Sequence, residues 1–169
     1  MYPVALPSLP PHDRMPQGAR EIYEEAQQVL PVSRRAAAAL ARAALERFLR
    51  DRDTRGGRRT LDDLIAELDG QVSYPLWQLL TGLRVIGNTA LHDSGQEEGL
   101  VALFLEGDAA TVVEPFFAAL NDLVDELIVR PERAGTYYEM LPAGIREGAE
   151  RKARAASAAS GPKKIAHRS

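Results

Sequence analysis

Between Ser33 and Arg50, seven alanines share a stretch with Leu40, Leu45, Phe48 and Leu49, and this segment constrains the fold more than any other. Strong helix formers dominate it, no glycine or proline interrupts it, and Ser33 is a good N-cap. Leu40, Ala44 and Phe48 make one row of the predicted helix, and Ala37, Ala41, Leu45 and Leu49 make the row beside it, so the helix has a wide buried face. Small side chains let a neighbouring helix come close, which predicts a central place in a bundle.

The flanking segments carry helical signals of their own. Met1 to Gly18 holds Pro3, Pro7, Pro10, Pro11 and Pro16, which suits an extended arm and excludes a helix or an interior strand. Ala19 to Leu30 turns Ile22, Ala26, Val29 and Leu30 to one side and Glu21, Glu24, Glu25 and Gln28 to the other, and stops before Pro31. Gly56 and Gly57 break the chain after the alanine-rich helix. Thr60 and Asp63 then form an approximate capping box for a helix over Leu61, Leu64, Ile65 and Leu68, closed by Gly70. Pro75 suits the first turn of a longer helix through Leu76, Leu79, Leu80, Leu83, Ile86 and Leu91. Asp93 to Gly99 reads as a polar loop, and Leu100 to Leu105 fits a short strand or a helical turn equally. Asp108 is placed to cap a helix from Ala109 to about Val129, with Pro115 expected to bend it or split off its first turn. Beyond Pro131, a patch of Tyr137, Tyr138, Met140 and Leu141 precedes a weaker helix from Ala143 to about Ala156. That patch suits either a cover over the bundle end or a partner surface. The expected organisation is all-α: an arm over 1–18, one helical domain over 19–156 and a disordered basic tail over 157–169.

Composition removes several function classes. The 169 residues contain no cysteine, which excludes disulfides, thiolate zinc sites and cysteine nucleophiles. His12, His92 and His167 are far apart in the chain, so neither a metal site nor a cofactor is expected. No apolar run is long enough to span a membrane and no signal peptide is evident, so the expected location is cytoplasmic. A net charge of −3 gives no overall pull toward nucleic acid, and any such affinity has to come from local patches.

Two such patches stand out. Arg50, Arg52, Arg55, Arg58 and Arg59 cluster in a loop, where Arg55, Arg58 and Arg59 are candidates for phosphate contact, although Asp51, Asp53, Asp62 and Asp63 cancel much of their field. Lys163 and Lys164 lead a C-terminal stretch with no acid after Glu150, suited to non-specific contact with RNA or DNA.

The most unusual segment runs from Arg84 to His92. Arg84, Asn88 and His92 recur every fourth place on a helix whose other positions are mostly apolar, which draws one polar stripe along it. Gly87 beside the stripe permits another backbone to come close. Arg42 and Glu46, also four apart, can form an ion pair on the alanine-rich helix. These five residues make one candidate polar network, and its bland reading is a buried structural tie between two helices.

From about Tyr23 to His92 the chain resembles the prokaryotic domain-of-unknown-function 4145 group, placed in the HEPN (higher eukaryote and prokaryote nucleotide-binding) superfamily. The resemblance rests on Glu25-Ala26, on the Ala37-to-Leu49 helix with Arg42 and Leu45-Glu46, on the Leu61-to-Leu68 helix, and above all on Leu83-Arg84-Val85-Ile86-Gly87-Asn88 followed by Ala90 and His92. It implies a HEPN-like helical bundle, often a homodimer, found in restriction, toxin and other defence proteins. Active superfamily members cut RNA without metal, which would make His92 the proton relay and Arg84 the group that stabilises phosphate charge, with Asn88 in support.

Seven residues separate Arg84 from His92 here, a longer spacing than is usual among those nucleases, and on an unbroken helix the two lie roughly 12 Å apart along the axis. The favoured reading is therefore a noncatalytic or weakly catalytic dimeric module that associates with nucleic acid or a co-encoded protein. Its rivals are a metal-independent endoribonuclease of toxin or defence type, and a purely structural dimerisation partner.

Overall fold

A computed structural model describes the backbone of residues 9–89 and 109–160 and the side chains of residues 9–87 and 115–159. Every regular element among them is helical. The expected loop at 93–99, the segment 100–105, the capping Asp108, and Lys163 and Lys164 lie outside the described residues.

The first helix, α1 (Gln17–Val29), starts two residues earlier than the sequence suggests, directly after Pro16, whose carbonyl accepts from the amides of Ala19 and Arg20. Its buried row is Ala19, Tyr23 and Ala26, continued by Leu30. Tyr23 is a core residue that hydropathy alone does not nominate. Its ring meets Phe117 edge-on at 5.0 Å, and its hydroxyl donates to the Leu9 carbonyl at 2.8 Å while accepting from Asn121 Nδ2 at 3.4 Å. A phenol so placed can be buried without an orphaned polar atom, and that burial pushes its pKa well up. The described part of the Pro-rich arm is held along its backbone: Asn121 accepts from the His12 amide at 2.8 Å and donates to the Pro10 carbonyl at 2.9 Å. Met15 enters the core.

Helix α2 (Arg34–Arg52) is capped by Ser33, whose hydroxyl accepts from the Ala36 amide at 3.2 Å. Ala37, Ala38, Ala41, Ala44, Leu45, Phe48 and Leu49 are buried, and α1, α3 (Leu61–Ala66), α4 (Tyr74–Thr89) and α5 (Ala109–Val124) all pack on it. The central position expected from its alanines is the one it takes. The capping box forms as well. Thr60 Oγ1 accepts from the Asp63 amide at 3.2 Å, and Asp63 Oδ2 accepts from the Thr60 hydroxyl at 2.7 Å and from the Thr60 amide at 2.8 Å, which together hold the Asp63 carboxyl below its ordinary range. Helix α3 ends at Ala66, short of Leu68, in a turn that closes on Gly70 at φ +77°.

Pro75 lies in the first turn of α4, as expected. Glu126 holds that helix start from a distance, accepting from the Ser73 amide at 2.6 Å and from the Ser73 hydroxyl at 2.8 Å. Trp77 is half-buried and donates its indole N–H to the Ile65 carbonyl at 3.1 Å. Pro115 sits inside α5 without dividing it. Phe116, Phe117, Ala119, Leu120, Leu123 and Val124 are buried, each large one contributing about 1.5–3 kcal/mol. The chain widens into a π-helical turn at Asp125–Val129. Pro131, four residues after Leu127, has no N–H to offer the Leu127 carbonyl, and Arg52 Nη2 donates to that carbonyl at 3.3 Å.

Residues 1–129 form one compact unit and residues 130–169 a second. The second holds α6 (Arg130–Glu139) and α7 (Ala143–Ser160). The helical run thus continues through Pro131 directly behind the π turn, past the expected end at about Val129. Helix α7 runs past the expected boundary at Ala156 because Ala155, Ala156, Ala158 and Ala159 are strong helix formers. Tyr138 joins the two helices, its hydroxyl donating to the Arg146 carbonyl at 3.1 Å. No described side chain of this unit is buried.

Candidate functional site

Gly87 fixes the geometry of the α2–α4 crossing. A Cβ at this position would stand 2.5 Å from Arg42 Cβ, 2.9 Å from Arg42 Cδ and 3.0 Å from the Ala38 carbonyl oxygen. Carbon atoms in ordinary contact lie about 3.5–4.0 Å apart, so only glycine fits. The close approach read from the sequence is therefore the approach of α2, and it brings Arg42 beside the Arg84-bearing stretch of α4.

On α2, Arg42 Nη1 lies 3.3 Å from Glu46 Oε2, which is the ion pair the spacing suggests. Arg50, one turn on, adds a second clasp with Nη2 2.6 Å from Glu46 Oε1. Glu46 thus serves two arginines. Arg42 Nε is buried and has no hydrogen-bond partner among the described residues.

Arg84 pairs with an acid of α3. Its Nε lies 3.0 Å from Oδ1 of Asp62 on α3, an ion pair without a linear hydrogen bond, and the side chain stays 30% exposed. In the sequence Asp62 reads as one of the acids that balance the arginine loop. Its link to Arg84 depends on how α3 packs on α4, and no spacing in the sequence signals that. The described side chains end at Ile86 and Gly87 on this helix, so the Asn88 side chain and His92 lie outside the described residues.

The arginine loop is mostly satisfied within itself. Arg59 is only 17% exposed, with Nη1 3.2 Å from Asp53 and Nη2 2.5 Å from Glu67. The hydrogen bond to Glu67 raises its already high pKa. Arg55 reaches the same Glu67 oxygen at 2.5 Å. Arg58 is exposed and has no partner among the described residues. A polar cavity of about 220 Å³ opens here between Arg52, Asp53, Arg55, Arg59, Glu67 and Leu127, and its cations are largely spent on its own acids. No group of three or more histidine or acidic side chains able to hold a metal ion occurs among the described residues, and no described helix is long and apolar enough to cross a membrane.

An all-helical bundle with a charged crossing, pinned by one glycine and lined by an arginine from each of two helices, is the class of protein defined here. A family model for a domain of unknown function (DUF4145) matches residues 24–144, and the chain belongs to that family. No curated protein and no solved structure matches it.

Proposed function

We propose that this chain is a HEPN-like binding module of a prokaryotic defence or regulatory system, which pairs as a homodimer and holds RNA or another nucleic acid at the α2–α4 crossing. The observation that carries the reading is the pair Arg42 and Arg84. Each guanidinium is steadied by a carboxylate on one side and stands partly open to solvent at a crossing that Gly87 locks. An arginine held through one nitrogen keeps the rest of its planar fork for phosphate oxygens. In the sequence Asn88 and His92 follow Arg84 at successive steps of four.

Binding is favoured over cleavage because Asp62 already neutralises Arg84 in part, and a cation spent on a carboxylate stabilises developing phosphate charge less. Partner binding by a co-encoded protein would use the same half-open face.

Incubation of the purified protein with structured and single-stranded RNAs in EDTA, beside Arg84→Ala and His92→Ala proteins, tests the reading. The expected result is RNA retained by the parent, left intact, and released by Arg84→Ala. Cleavage by the parent that both folded variants lose would make the chain a metal-independent endoribonuclease. Intact, unbound RNA would overturn the nucleic-acid reading.

A further inference from the structure

The 40 residues from Arg130 onward carry 9 basic and 4 acidic side chains, while the 129 before them carry 12 basic and 20 acidic. The small net charge of the chain therefore conceals a body at −8 and a C-terminal unit at +5. That unit also lacks a core of its own. Tyr137 is 66% exposed, Met140 76% and Ile145 58%, with Leu141 between them at 41%. Two helices of 10 and 18 residues that bury nothing are marginal in water, because helices of this length draw their stability from packing an apolar face.

Within the body, most acids on α2, on α3 and just beyond their ends already have partners: Glu46 has Arg42 and Arg50, Asp51 has Arg47, Asp53 and Glu67 have Arg59, and Asp62 has Arg84. Helix α1 differs. Glu21, Glu24 and Glu25 stand exposed on it, no basic residue lies between Arg20 and Arg34, and Glu24 and Glu25 have no partner among the described residues. Beside them a groove of about 360 Å³ runs between Pro10, Pro11, Glu24, Gln27 and Gln28, with exposed Leu9 adjoining it, where its carbonyl accepts from Gln27.

We propose that the α6–α7 hairpin is an exchange arm, which docks its Tyr137–Met140–Ile145 face and its Arg151, Lys152 and Arg154 cations on the α1 groove and glutamates of a second copy of this chain. This deepens the homodimer part of the functional reading and rests on it. A polyanion is the weaker occupant for this hairpin, since it would meet the cations and leave Tyr137, Met140 and Ile145 uncovered, whereas the α1 groove has exposed Leu9 beside its glutamates.

The test is the mass of the full chain in solution across protein and salt concentration. The parent is expected to dimerise at low salt and to weaken as salt screens the attraction. Met140→Ser with Ile145→Ser should leave a folded monomer, as should each of two charge reversals, Arg151→Glu with Arg154→Glu, and Glu24→Arg with Glu25→Arg. Mixing the two reversed proteins should restore a dimer, because each arm then meets a surface of opposite sign. A monomeric parent would overturn both the homodimer reading and the arm. A dimer that survives all three variants would overturn the arm alone and leave the homodimer standing. A monomeric parent that shifts single-stranded RNA through Arg151 and Arg154 would give the hairpin to nucleic acid instead.

Discussion

Gly82 and Gly87 lie on the same helix, and replacing each by alanine should move stability in opposite directions. In an unobstructed helix, alanine is better than glycine by about 1 kcal/mol, through backbone entropy. At Gly82 the new methyl would meet nothing closer than Phe116 Cε1 at 3.9 Å, so most of that gain should appear. At Gly87 the methyl falls 2.5 Å from Arg42 Cβ and 3.0 Å from a backbone carbonyl. Neither is the loose end of a flexible side chain, so α4 would have to move off α2 by about 1 Å to regain ordinary contact. Overpacking of this kind costs about 1–3 kcal/mol, and with backbone involved the upper end applies. Setting the helix gain against it leaves about 2 kcal/mol of net loss, a fall in Tm of roughly 4–8 °C for a chain of this size, against a rise of roughly 2–4 °C for Gly82→Ala. Thermal and urea unfolding of both variants beside the parent measures this. A Gly87→Ala protein as stable as Gly82→Ala would refute the close crossing, and with it the placement of Arg42 beside the Arg84 stretch.

Tyr23→Phe should lower stability by about 1 kcal/mol and expose the arm to limited proteolysis near Leu9, since the hydroxyl is the donor to the Leu9 carbonyl; an unchanged melt and cleavage pattern would count against that tether. Asp63 supplies a pH dependence. Its folded pKa lies below the ordinary 3.8 because the Thr60 hydroxyl and amide favour the carboxylate. The stabilisation is therefore complete above the unfolded value and is lost as pH falls through the folded one. The urea midpoint of the parent should drop on acidification from about pH 5 to about pH 2, and Thr60→Ala should show a smaller drop, with equal drops refuting the capping contribution.

Much of this fold was legible because local rules and tertiary packing agree. Ser33 and Thr60 cap where their side chains can reach an amide, and the alanines of α2 admit neighbours on several sides. The Arg42–Glu46 pair is likewise a matter of spacing within one helix. What spacing cannot reveal is anything that joins distant segments. Tyr23 belongs to neither side that the periodicity of α1 assigns, and it becomes a core residue only when Leu9 and Asn121 are brought to its hydroxyl. Asp62 reads as one acid in a charged loop until α3 sets it against Arg84. The helix from Ala109 reads as ending near Val129, yet the helical run continues past Pro131 behind a π turn, and Arg52 from another helix donates to the Leu127 carbonyl that the proline leaves unserved.

The Asn121 side chain also bears on how the molecule comes into being. Its amide grips the backbone at Pro10 and His12, more than a hundred positions earlier in the chain. At about 5–20 residues per second, synthesis delivers Asn121 roughly 5–22 seconds after His12. For that interval the arm rests on α1 alone, through Tyr23 and Gln27 at the Leu9 carbonyl and Arg20 at the His12 carbonyl. The clasp on Pro10 and the His12 amide thus closes only after residue 121 has been made, and a nascent chain halted before it would hold that stretch by its α1 contacts alone.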